Sequence, residues 1–156
     1  MKKYFEVGIF ILLCELVGII GSAFTFSSIA NWYVYLNKPF FSPPNYLFGP
    51  VWTTLYALMG VAAYMIWVKR IKNKKAQEAL KLFWIQLALN FIWTPVFFGA
   101  KNLGLAFVVI IAMWIYIVKT IRAFGKINNT ASYLLYPYLA WVSFASLLNF
   151  SLWILN

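Results

Sequence analysis

Trp32-Tyr33-Val34-Tyr35-Leu36-Asn37-Lys38-Pro39-Phe40-Phe41-Ser42-Pro43-Pro44, followed by Asn45-Tyr46-Leu47-Phe48-Gly49-Pro50-Val51-Trp52, is the stretch on which the fold turns. Pro39, Pro43, Pro44 and Pro50 rule out a helix interior, because each lacks a backbone donor and fixes its own φ. The residues before them are driven towards extended conformations. Seven aromatic side chains before Gly49 and one charge, Lys38, are equally unlike a solvated loop. The stretch therefore reads as an ordered, partly buried lid that joins two hydrophobic helices and covers the space between them.

Composition identifies the solvent for those helices. The chain of 156 residues is 64% hydrophobic, 21% aromatic and 10% charged, whereas soluble domains carry about 25% charged residues. Too little polar surface exists to cover a globule in water, so the expected class is an all-α integral membrane protein. Five apolar segments, 7–30, 51–68, 82–98, 103–118 and 133–155, approach the ~20 residues that cross a hydrocarbon core. They make a single five-helix domain over residues 1–156. The first segment is too long for the apolar core of a secretory signal, and it reads as a span.

The formal charge of +10 would suit nucleic acid if it were spread over a face, but it lies in connections, and no nucleic-acid partner is expected. Six cations fall between Lys69 and Lys81, read here as a loop. Eleven of the thirteen lie on the amino-terminal side of alternate connections; Lys38 and Lys101 alone lie on the other. The bias of Lys and Arg towards cytoplasmic loops predicts a cytoplasmic amino terminus and an external lid, in a multi-pass protein of a bacterial cell membrane.

Absences exclude conventional catalysis. The chain has no histidine or aspartate, its three glutamates Glu6, Glu15 and Glu78 are scattered, and it has one cysteine, Cys14. No Ser-His or Cys-His pair, carboxylate pair or histidine metal site can be built; no metal site and no required cofactor are expected. Glu15 is the exception to an otherwise uncharged first span. A mid-membrane carboxyl costs about 3 kcal/mol on insertion scales and is a functional candidate by default.

Three helical stripes carry the remaining signal. Trp52, Tyr56, Gly60 and Ala63 share one side of the second segment. Gln86, Asn90 and Trp93 do so on the third, and Trp141, Ala145, Leu148 and Asn149 on the fifth. Aromatic walls with a few polar groups describe a ligand pocket; a packed core in which Asn90 and Asn149 bond across helices fits the same spacing.

These motifs resemble the translocator protein (TspO/MBR) family, whose bacterial members are called tryptophan-rich sensory proteins and whose mitochondrial ones were called peripheral benzodiazepine receptors. The likeness rests on Trp32-Tyr33, Asn37-Lys38-Pro39, Ser42-Pro43-Pro44, Gly49-Pro50-Val51-Trp52-Thr53, Leu55-Tyr56 and Met59-Gly60. It extends to Gln86-Leu87-Ala88-Leu89-Asn90-Phe91 with Trp93 and Pro95, and to Leu134-Leu135-Tyr136-Pro137-Tyr138-Leu139-Ala140-Trp141 with Asn149 and Trp153. It implies five helices, homodimers, and a pocket under the first loop for porphyrins, benzodiazepine-site ligands or other lipophilic small molecules. The implied pocket includes Trp52, Asn90, Trp93, Trp141, Ala145 and Leu148; Trp32, Tyr33, Tyr56, Phe91 and Asn149, in or beside the same motifs, complete the candidate set. Lys38 and Lys101 are the cations available to porphyrin propionates on that side.

Three roles follow from the resemblance: a receptor or sensor; a light- and oxygen-dependent enzyme degrading porphyrin, with Trp52 and Trp141 as reacting groups; or a membrane scaffold or transporter. Besides the ligand, the expected surroundings are membrane lipid. The end of the chain, Phe150 to Asn156, lacks the tyrosine and basic residue of the animal sterol motif, so sterol transport is not implied. Glu15 has no counterpart in the motifs.

The orientation is tested by cysteine labelling of whole cells. Cysteines introduced at Asn45 and Asn156 are expected to react with an impermeant thiol reagent and one at Asn73 to remain unlabelled; labelling at position 73 alone would invert the topology.

Overall fold

A computed structural model describes residues 1–156. It is all-helical, and five of its helices are long and apolar enough to cross a membrane. The α-helices in chain order are α1 (Lys2–Asn31), α2 (Phe48–Trp67), α3 (Lys74–Thr94), α4 (Leu103–Gly125), the short α5 (Asn129–Tyr133) and α6 (Tyr136–Leu155), with α5 and α6 together forming the fifth span. Helices suit this medium because they satisfy their own backbone donors and acceptors, which lipid cannot do. The outer surfaces accordingly present Leu12, Leu16, Ile19, Ile92, Val108 and Leu147.

Several boundaries differ from those read in the sequence. α1 starts at Lys2 rather than residue 7, and its 30 residues reach about 45 Å at 1.5 Å each, more than a hydrocarbon core. The basic stretch 69–81 is not a loop: α3 begins at Lys74. The Asn73 side chain caps it by accepting from the Ala76 amide at 3.2 Å, which satisfies one of the orphan donors of a helix start. Ala76, Ala79, Leu80 and Phe83 are buried while Lys74, Lys75, Glu78 and Lys81 stay exposed, so charge density obscured an amphipathic helix. Asn102 and Asn128 cap α4 and α5 in the same way. α4 runs seven residues past its expected end, to Gly125. The last segment is divided: α5 stops at Tyr133, and α6 restarts with Pro137 in its first turn, where the missing donor costs nothing.

α1 packs along α2, α3 along α4, and α4 along α6. The tightest point is Gly60 on α2, where an added Cβ would lie 2.5 Å from Ile11 Cα and 2.8 Å from the Phe10 carbonyl oxygen of α1. A turn higher, Gly18 of α1 meets the Tyr56 ring, which would stand 2.7 Å from a Cβ there. Gly18 thus packs within the chain. Beyond this pinch α1 leans onto the end of α3. There Pro95 opens a π-helical turn, Pro95–Gly99, and the Ser28 hydroxyl donates to the Phe98 carbonyl at 2.6 Å. α2 and α6 face each other through side chains such as Trp52 and Tyr138 (ring centroids 6.3 Å) rather than through close backbones, which leaves room between them.

The lid, residues 32–47, contains two 3₁₀ turns, Tyr33–Tyr35 and Asn45–Leu47. Tyr33 is its anchor, 2% exposed, whereas Phe40 is fully exposed. The lid is clasped to the carboxyl end of α6: the Asn37 amide donates to Asn156 Oδ1 at 2.9 Å, and Asn156 Nδ2 donates to the Asn37 carbonyl at 3.0 Å. Lys38 caps the lid's own backbone, donating to the carbonyls of Val34 and Leu36.

Overpacking a close helix contact costs about 1–3 kcal/mol. Gly60→Val is expected to destabilise the detergent-solubilised protein by at least that amount in thermal unfolding, because the neighbouring atoms are backbone and cannot turn away. Gly8→Ala, where a Cβ meets nothing within 4 Å, should be neutral or slightly stabilising.

Candidate functional site

A cavity of about 380 Å³ lies under the lid between α1, α2, the end of α3 and α6, within the roughly 300–1,000 Å³ of small-molecule sites. Its floor is a chain of buried hydrogen bonds. The Tyr56 hydroxyl donates to Asn90 Oδ1 at 2.7 Å, Asn90 Nδ2 donates to the Tyr138 hydroxyl at 2.9 Å, and that hydroxyl donates to Gln86 Oε1 at 2.7 Å. α2, α3 and α6 are tied at one level. A second link closes the α3–α6 side: Trp93 Nε1 donates to Asn149 Oδ1 at 3.1 Å, and Asn149 Nδ2 donates to the Leu103 carbonyl at 2.9 Å.

Above this floor the walls are aromatic. Trp52 stacks on Tyr56 (5.6 Å, 28°) and Trp93 on Phe97 (4.8 Å, 30°). Trp141 meets Phe48 edge-on at 6.2 Å, and Phe48 meets Tyr33 at 6.4 Å under the lid. Of the residues singled out in the sequence, Tyr33, Trp52, Tyr56, Asn90, Trp93, Trp141, Ala145, Leu148 and Asn149 line this space. Trp32, Phe91, Lys38 and Lys101 do not. Trp32 lies behind the wall against Phe97. Phe91 is 39% exposed on the outer surface of α3, because it follows Asn90 and so points about 100° away from it. Lys38 is held on lid carbonyls above the Tyr33 ring, and Lys101 lies 5.9 Å from the Trp32 ring centroid. The cavity therefore contains no cation.

The α1 wall was not assembled from the sequence. Glu15, Gly18, Ser22, Thr25 and Ile29 all line the cavity, and their 3–4 spacing puts them on one face. A stripe of small and polar residues in an otherwise apolar helix was the available signal. α1 and α2 leave this wall exposed between Ile19 and Phe26 on one side and Gly49 and Thr53 on the other, so the cavity also faces the bilayer laterally.

The polar groups divide into those already paired and those left free. The Ser22, Thr25 and Thr53 hydroxyls donate to carbonyls of their own helices. Asn90 and Asn149 are committed to the bonds just described. Trp141 Nε1 and the Tyr33 hydroxyl are buried without a hydrogen-bond partner. Burial pushes the Tyr33 phenol pKa up, with the nearby Ser42 hydroxyl offsetting this in part, although the Ser42 oxygen is itself unpaired. Tyr33 thus remains a neutral donor at neutral pH. Glu15 is the single charged residue in the wall. Chemically, the site offers stacking surfaces, two donors near its roof and a carboxyl at its inner end.

Comparison with known proteins gives a consistent family. The sequence model of the TspO/MBR family matches residues 10–154. The tryptophan-rich protein TspO of Archaeoglobus fulgidus is 44% identical over 146 residues, covering 94% of each chain. The translocator protein of Bos taurus is 40% identical over 92% of this chain and 86% of its own. The tryptophan-rich sensory protein of Cereibacter sphaeroides is 40% identical over 81% and 77%.

Two substitutions separate the structural and free polar groups. Asn90→Leu strands the Tyr56 hydroxyl, while Tyr138 keeps its bond to Gln86, and should cost at least about 1–3 kcal/mol, the penalty of a buried unpaired group. Glu15→Gln removes a charge that no protein group pairs with, and should leave the thermal midpoint unchanged or higher.

Proposed function

The chain belongs to the TspO/MBR family, and from that premise we propose that it is a membrane receptor or sensor binding a planar lipophilic ligand of the tetrapyrrole class under its lid. Its amino terminus is in the cytoplasm of a prokaryotic cell, and the lid is external. The observation that carries the reading is the pair of orphaned donors, Trp141 Nε1 and the Tyr33 hydroxyl, at an aromatic cavity. Buried polar groups are normally satisfied, so these two, enclosed in the cavity wall without partners, are suited to acceptors on an occupant whose entry shifts the wall rings. The stacked walls suit a flat π-system, whose faces gain area from Trp52 and Trp93. With no cation in the cavity, propionates remain at the aqueous mouth, where Lys38 and Lys101 are the cations of that end.

A photochemical role is the second reading, and the presence of both Trp52 and Trp141 in the cavity wall favours it. An oxidisable indole beside an excited macrocycle can give up an electron, with oxygen as the terminal acceptor.

Titration of the purified protein with metal-free porphyrin in darkness is expected to saturate. Trp141→Phe keeps an aromatic surface but loses the donor, and should weaken dark affinity roughly two- to twelve-fold, the worth of one hydrogen bond of about 0.5–1.5 kcal/mol. Absence of saturable binding would refute the receptor reading. Under illumination, bleaching that falls far more in Trp52→Phe and Trp141→Phe than affinity does would favour the enzyme; equal bleaching with wild type, variants and detergent alone would eliminate it.

A further inference from the structure

At the opposite end of the bundle from the lid, a second hollow of about 390 Å³ lies between the start of α3 and the end of α4. Lys75, Lys119, Arg122 and Lys126 line it together with a single acid, Glu78. All five are exposed, and none is joined to another by an ion pair within 4.0 Å. Neighbouring cations of the same end behave differently. Lys69 donates to the Ile127 carbonyl at 3.2 Å, and Arg70 donates to the Trp67 carbonyl while lying 3.5 Å over the Trp67 ring. The four groove cations are thus not spent internally, except that Lys119 rests 4.9 Å from the Tyr116 ring centroid.

Like charges converging on one hollow repel unless a counter-anion sits among them. The location says which anion. The groove floor is apolar, formed by Ala79, Leu82 and Ala123, and its stripes continue inward at helical spacing to Ile85 on α3 and Ile115 on α4. Those two are 41% and 43% exposed. Trp84 and Trp114, both partly exposed, lie at the level where indoles mark the membrane boundary. A soluble anion would use the cations alone. A lipid uses the cations for its phosphate and the exposed isoleucines for an acyl chain.

We propose that this groove is a binding site for the phosphate headgroup of an anionic phospholipid of the inner leaflet, held by Lys75, Lys119, Arg122 and Lys126. Basic pockets between spans at the cytoplasmic boundary have the chemistry for such headgroups. The site fastens α3 to α4 at the end remote from the cavity.

The test uses the full chain in phosphatidylcholine nanodiscs doped with a diazirine-bearing phosphatidylglycerol, with crosslinked peptides mapped by mass spectrometry. Crosslinks should concentrate in residues 75–89 and 112–126, and excess unlabelled phosphatidylglycerol should suppress them. Lys119→Gln/Arg122→Gln should weaken the apparent affinity at least tenfold, each interfacial cation being worth about fivefold. Lys2→Gln/Lys3→Gln, which removes the same charge from the same end outside the groove, should leave it unchanged. Equal losses in the two double variants, or crosslinks spread evenly around the bundle, would show a diffuse surface charge and overturn the proposal. Suppression by inorganic phosphate as effective as that by the lipid would assign the groove to a free anion and overturn the lipid assignment.

Discussion

The Asn90 carboxamide is the joint on which the arrangement depends. It accepts from Tyr56 of α2 and donates to Tyr138 of α6, so one side chain of α3 fixes three helices at the same depth. In a bilayer core water is not available to replace these bonds, and the alternative is an unpaired group in hydrocarbon. Below this level Gly60 admits the α1 backbone and the bundle closes. Above it the helices diverge around large rings, and the opening is the cavity. Floor and cavity are therefore consequences of one another.

The same polar economy shapes the site. Most hydroxyls and both asparagines of the wall are paired within the protein, leaving a surface that is chiefly aromatic, with Trp141 Nε1 and the Tyr33 hydroxyl enclosed behind it without partners. Both are positioned by apolar contacts rather than by partners, Trp141 against Phe48 and Phe144, Tyr33 against Phe97 and Phe98. The lid holds Tyr33 down through the Asn37–Asn156 clasp. Charge is segregated along the same axis: the cavity end has few cations, each lying near an aromatic ring, and the other end carries the unpaired groove.

Much of this was legible in the chain. Hydrophobic composition and segment length gave five spans, because a bilayer imposes one dominant pattern that local context cannot override. The Pro-rich aromatic stretch read correctly as a partly buried lid, since proline and burial each leave a mark on sequence. The stripes bearing Trp52, Asn90, Trp93 and Trp141 were visible as periodicity, and the two readings of those stripes turned out to be compatible: Asn90 and Asn149 bond across helices and also line the cavity.

What only the tertiary structure decided concerns direction and depth. Phe91 and Asn90 are adjacent in sequence but face lipid and cavity respectively, a difference set by how α3 is rotated in the bundle. The α1 face from Glu15 to Ile29 became part of the site because the Gly60–Ile11 contact pinches α1 against α2 low down while Ser28 draws its far end towards Phe98. Lys38 was available to a ligand by charge and side, but the lid carbonyls of Val34 and Leu36 hold its ammonium. Sequence determines which residues tolerate lipid, helix or turn, because those preferences are local. Which of them meet across a cavity depends on contacts between residues tens of positions apart, and these exist only once the helices have packed.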